Sequence, residues 1–234
     1  MASNELYQYS ILSALMDGVS ETGTTVSDLL KSGDLGLGTF SHMDGEMVVI
    51  DGKIYQLKAD GTVPEAEPQA VVPFATVTRF QPTMFRQAPL PDKDSLLQLL
   101  TQMAPNTGNH FLSIRLEATF QSVTARTVPP QEYPGQKLSE LGKKQVVRSY
   151  HNLKGSMVGF RSPQFSQGIA VAGDHIHFIS EDRKCGGHVL EFAAADASVS
   201  VAVINKLHID LPQSDEFNNA ALERDEAGIK KVEG

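Results

Sequence analysis

The chain has 234 residues, 41% of them hydrophobic and 21% charged, a balance that suits a globular protein able to bury a substantial core. Its formal charge of −8 argues against nucleic acid or an anionic membrane as a partner, and its single cysteine excludes an intramolecular disulfide. No basic stretch followed by an apolar one opens the sequence and no segment approaches the ~20 apolar residues of a spanning helix, so a cytoplasmic protein is expected.

Taken in order, Leu6 to Met16 is apolar enough for a strand or a buried helix, and its aromatic content and Asp17-Gly18 end favour the strand. Thr24 to Lys31 reads as a short helix with a threonine cap, stopped at Gly33. The stretch Gly33-Asp34-Leu35-Gly36-Leu37-Gly38-Thr39-Phe40 lacks the lysine of a phosphate-binding loop and the strand-then-helix context of a dinucleotide site. Tight turns leading into a hairpin fit it better. Asp51-Gly52, between Asp44–Ile50 and Lys53–Leu57, is a strong two-residue hairpin signal. Half of the 12 prolines lie between Pro64 and Pro91, which implies a segment wrapping the surface with Phe74 to Phe80 as an edge strand.

Asp92 to Met103 has leucines at 96, 97, 99 and 100, an acidic first turn and Pro105 beyond its end, the pattern of an amphipathic helix. Leu112, Ile114, Leu116, Ala118 and Phe120 then alternate with polar residues, as in a long half-buried strand. Pro129-Pro130 and Pro134-Gly135 mark a boundary between an N-terminal half, residues 1–135, and a C-terminal half, residues 136–234. From Leu138 the order of elements repeats: Gly155–Phe160 parallels Gly36–Phe40, and Ala170–Ile179 parallels Val48–Leu57, so an internal duplication is possible. A second alternating strand spans Ser198 to Ile209, and Ser214 to Glu223 fits a short capped helix before a charged tail. The expected class is α+β, β-rich with few helices and mixed and antiparallel sheets, built either as one large β-rich unit or as two packed halves, the C-terminal one barrel-like.

Three of the seven histidines fall in Gly173-Asp174-His175-Ile176-His177-Phe178-Ile179-Ser180 and Gly187-His188-Val189-Leu190-Glu191-Phe192. Residues i and i+2 of a strand share a face, so His175 and His177 can aim at one point. A reversal around Glu181 to Lys184 that sets His177 opposite His188 brings in the third ring. Three neutral imidazoles suit a borderline-soft divalent ion and leave a coordination position open, the arrangement of a catalytic site. Cys185, spaced Cys-x-x-His from His188, is a rival ligand that would close the site into a structural zinc centre, although a packed or turn residue is the preferred reading. His175-x-His177-x-x-x-Glu181 imitates a cupin motif, but His188 follows too soon and no proline-glycine motif surrounds it.

The chain resembles the α-acetolactate decarboxylase family end to end, through Gly33–Phe40, Met43-Asp44-Gly45-Glu46, Asp51–Leu57 and the triple-histidine hairpin. The resemblance implies a zinc-dependent carboxy-lyase, usually dimeric and built from two packed β-rich halves with the metal on the C-terminal one, that converts (S)-2-acetolactate, a 2-hydroxy-3-keto acid, to (R)-acetoin and carbon dioxide in acetoin biosynthesis. It implies His175, His177 and His188 as zinc ligands, Glu46 as a carboxylate at the metal, Arg126 as a substrate-side cation, and Thr39 lining the site. A glutamate from the C-terminal tail is also implied, matched by Glu233 with Glu226 as a competitor.

Overall fold

The computed structural model describes residues 2–222. Its strands are β1 (Leu6–Tyr9), β2 (Thr24–Thr25), β3 (Leu35–Thr39), β4 (Glu46–Ile50), β5 (Lys53–Leu57), β6 (Val71–Val72) and β7 (Phe74–Thr78). They continue as β8 (Met84–Leu90), β9 (Phe111–Thr127), β10 (Val146–Ser162), β11 (Gly173–Ser180), β12 (Gly186–Ile204) and β13 (Leu207–Asp210). The helices are short except for one: α1 (Leu12–Met16), α2 (Val26–Leu29), α3 (Lys93–Met103), α4 (Leu138–Leu141) and α5 (Asp215–Asn219).

The first sheet has the order β13-β1-β7-β3-β4-β5, with β13 parallel to β1 and the other pairs antiparallel. The second has the order β11-β10-β9-β12-β8, and β11 also pairs with β12. That extra pairing closes β9, β10, β11 and β12 into a four-stranded cycle, the expected barrel-like unit. Register shifts between β12 and β9 give the long strands the local bends that closure needs.

Strand alternation places the cores. Val48 and Ile50 of β4 face the barrel and pack with Val158, Phe160 and Ile179, while Met47 and Val49 turn to the other side, against Val26 and Leu29 of α2. The first sheet is therefore buried on both faces. Inside the barrel, the alternating row Leu112, Ile114, Leu116 and Phe120 meets Phe178, Phe192, Val199 and Val201, and α3 packs Leu96, Leu100 and Met103 onto the same cluster. The Asp92 side chain accepts from the Ser95 N–H at 2.7 Å in a capping box that starts α3 where the sequence places it. Asp51 and Gly52 both adopt positive φ, as the tight hairpin turn requires.

Several expectations change. Leu6–Met16 is a strand and then a helix, separated by Ser10 at φ 66. Phe74–Thr78 lies inside the first sheet between β1 and β3, with every residue buried, and is not an edge strand. The prolines of that region flank β7 and leave its ladder intact. Most of the glycine-rich stretch, Leu35–Thr39, is itself a strand; a side chain at Gly36 or Gly38 would collide with the carbonyls of Thr76 or Phe74 on β7. Sheet membership does not follow a division at residue 135, since β8 and β9 belong to the second sheet and β13 to the first. The proposed repeat also lacks a structural counterpart: Val48–Leu57 spans a hairpin whereas Gly173–Ser180 is one continuous strand, and the strand orders differ.

Candidate active site

The three histidines meet as the hairpin geometry requires. His175 and His177 project from one face of β11, and the β11–β12 ladder sets His177 directly opposite His188. In the next ladder His188 lies opposite Arg126 of β9, so one row across three strands delivers His177, His188 and Arg126 to the same place. Register alone dictates this convergence. Gly187, at φ 153 between His188 and the turn, leaves no room for a side chain against the Arg126 carbonyl and Ala125. The ligand-bearing nitrogens of the three rings all lie within 4.8 Å of one another.

His177 and His188 are each 1% exposed and His175 is half-buried. His177 Nδ1 lies 2.7 Å from the Met47 carbonyl oxygen. A carbonyl can only accept, so Nδ1 carries the proton and Nε2 presents its lone pair. That lone pair faces His175 Nε2 at 3.2 Å and a Glu46 oxygen at 3.6 Å. Burial, opposed in part by the Met47 hydrogen bond, pushes the His177 pKa down to about 3. His175 and His188 are held well below the usual histidine range by burial first and then by neighbouring positive charge, including Arg126. Neutral imidazoles with converging electron pairs, one oriented by a backbone carbonyl, are a donor set that fits a zinc-like cation.

Glu46 arrives from the other sheet. As the first residue of β4 it shares the barrel-facing side with Val48 and Ile50, and one of its oxygens accepts from Arg126 Nη1 at 3.2 Å. Arg126 is 2% exposed and Glu46 8% exposed, so the pair is shielded from water. The turn before Glu46 is unusual: His42, Met43 and Gly45 all have positive φ. Thr39, the residue paired with Glu46 across β3 and β4, donates its hydroxyl to the Gly45 carbonyl at 2.7 Å and closes that turn. Glu46, Thr39, Arg126, His175 and His177 line one side of a cavity. Its opposite side is apolar and includes Leu12, Leu15 and Leu138. Sequence reading missed this wall because its residues come from separate segments and carry no signal beyond ordinary core hydrophobicity.

Cys185 stays apart from the histidine group. Its N–H donates to Ser180 Oγ at 3.1 Å and its side chain packs against the barrel core. Glu181, which supplied the cupin-like spacing, instead pairs with Lys154 at 2.6 Å. Glu233 and Glu226 lie outside the described residues.

A family profile described as alpha-acetolactate decarboxylase matches residues 6–224. Alpha-acetolactate decarboxylase from Klebsiella aerogenes is 40% identical over 231 residues, covering 97% of this chain and 88% of that protein. The crystal structure of the Bacillus subtilis strain 168 enzyme superposes with a TM-score of 0.94 at 35% identity, covering 98% of this chain and 99% of that one. A Staphylococcus aureus protein described as of unknown function and similar to alpha-acetolactate decarboxylase gives 0.90 at 29% identity, covering 98% of each chain. The chain therefore belongs to the alpha-acetolactate decarboxylase family and is a carboxy-lyase.

Proposed function

We propose that the protein converts (S)-2-acetolactate to (R)-acetoin and carbon dioxide with zinc as its cofactor, as a cytoplasmic homodimer in acetoin biosynthesis. The observation that carries the reading is the convergence of His175, His177 and His188 beside the buried Arg126–Glu46 pair, in a chain of this family. The zinc ion would be held by the three histidines, and when bound it supplies Lewis-acid stabilisation of the charge that develops on the substrate's carbonyl.

The chain's own groups account for orientation and proton handling. Loss of carbon dioxide leaves an electron pair that delocalises into the neighbouring ketone, and one proton must then be delivered to carbon on a defined face. Arg126 offers a planar, permanently charged fork that can hold the substrate carboxylate while one nitrogen fixes Glu46. Glu46 can move a proton near the reacting carbons, since its second oxygen points towards the histidines. Thr39 holds the turn that aims Glu46. The apolar wall excludes water from the developing carbanion.

Glu233 is a second proton donor in this reading, with Glu226 as its competitor. A loss of turnover confined to Glu233→Gln, with Glu226→Gln normal, assigns the role to Glu233; normal turnover in both assigns it to Glu46 or to water. The whole reading is tested by incubating zinc-loaded protein with racemic 2-acetolactate and resolving the product on a chiral column. Formation of (R)-acetoin that a chelator abolishes and zinc restores is expected. No acetoin from protein with verified zinc content would overturn the assignment.

A further inference from the structure

We propose that Leu138 sets the size of the 2-alkyl group that the cavity admits, and so selects among 2-alkyl-2-hydroxy-3-keto acids; this rests on the decarboxylase reading above. The cavity is divided. Its polar side carries Glu46, Arg126 and two histidines, and its other side consists of Leu12, Leu15, Met43, Phe74, Val128 and Leu138. All six belong to one hydrophobic cluster, each less than a tenth exposed, so the wall is the inner surface of a small core. A substrate whose carboxylate, hydroxyl and ketone engage the polar side turns its alkyl substituents to this wall. Nothing there is polar, so selection on that side acts through volume, where one methylene changes kcat/KM by roughly 10- to 200-fold.

Leu138 is the member of the wall best placed to vary. Phe74 belongs to β7, and Leu12 and Leu15 lie on α1, whose Leu12 N–H is bonded to the Ile169 carbonyl. Leu138 instead opens α4, a four-residue helix entered from the Pro134-Gly135 turn. Its position is framed from outside the cavity by the preceding residue: Lys137 Nζ pairs with Asp17, the C-cap of α1, at 2.9 Å. Changing the Leu138 side chain therefore alters cavity volume without cutting a sheet ladder or touching the polar side. Leu141 of the same helix is equally buried in the same cluster but does not line the cavity, which makes it the matched control.

The test compares kcat/KM for 2-acetolactate and for its 2-ethyl homologue, read by carbon dioxide release, in zinc-loaded parent, Leu138→Ala and Leu141→Ala. Leu138→Ala should move the ethyl-to-methyl ratio towards ethyl on the order of tenfold, and Leu141→Ala should leave it within about twofold. Leu138→Val, a smaller perturbation of folding, should shift the ratio the same way to a lesser degree. An unchanged ratio in both Leu138 variants, or an equal shift in Leu141→Ala, overturns the proposal. A parent that decarboxylates neither compound brings down the decarboxylase reading itself, whereas normal parental turnover with an unmoved ratio sinks only the assignment to Leu138.

Discussion

The barrel and the first sheet contribute to the same cavity in different ways. His177, His188 and Arg126 stand in one hydrogen-bonded row across β11, β12 and β9, so their mutual positions are set by ladder register inside a single closed sheet. Glu46 comes from the end of a strand in another sheet. It is aimed by a turn with three positive-φ residues and by the docking of β4 on β11, where the Met47 carbonyl meets His177. The three histidines that could hold a metal belong to the barrel, and placement of the carboxylate depends on how the two sheets pack.

The sharpest break of that division is His175→Ala. It should remove both the bound metal and turnover, a loss of at least about a thousandfold, measured by zinc content and acetoin formation on the same sample. Full turnover in verified metal-free protein would end the three-histidine assignment. Arg126→Lys and Glu46→Gln should instead keep zinc while lowering kcat on the order of a hundredfold, because an ammonium lacks the two-pronged hold and a carboxamide cannot carry the proton. Zinc loss in Glu46→Gln would move the carboxylate into the metal-holding set.

Gly45→Ala probes the packing between the sheets. Gly45 sits at φ 82, and an added side chain would collide with the Leu57 carbonyl, so the turn before Glu46 must shift. The expected result is retained zinc, a roughly tenfold lower kcat and a stability loss of about 1–3 kcal/mol by chemical denaturation. Unchanged kcat would show that Glu46 does not depend on this turn.

The smallest expected effect is a slope with pH. Burial pushes the His177 pKa down to about 3 from an ordinary 6.5, so between these values the unfolded chain is expected to bind the proton and the folded one not. Metal-free protein should therefore be most stable above pH 6.5 and lose stability on acidification towards pH 3, by up to about 1.4 kcal/mol per pH unit for this histidine. Denaturant titrations of the parent and His177→Gln across that range check it. An equal slope in both would show that the buried ring is not the source.

The histidine site was legible because its information is local. His-x-His on a strand and a third histidine across a short turn determine a common face from the two-residue period alone, and His177 does pair with His188. The α3 cap, the Asp51-Gly52 hairpin and the long alternating strand were readable for the same reason, since each rests on neighbours in sequence. Glu46 and Arg126 came only from family resemblance, because no local pattern joins residues 80 positions apart. Residue identities and their spacing were enough to tell which residues are metal-ligand types, which face of each strand they occupy and which family the chain resembles. Tertiary structure decided what periodicity does not encode: that Phe74–Thr78 is central, that β13 returns to the first sheet, that β11 closes on β12, and that leucines from α1 and α4 wall the cavity. Those outcomes depend on which buried surfaces meet, and hydrophobic burial is non-directional, so apolar composition marks a residue as internal without naming its partner.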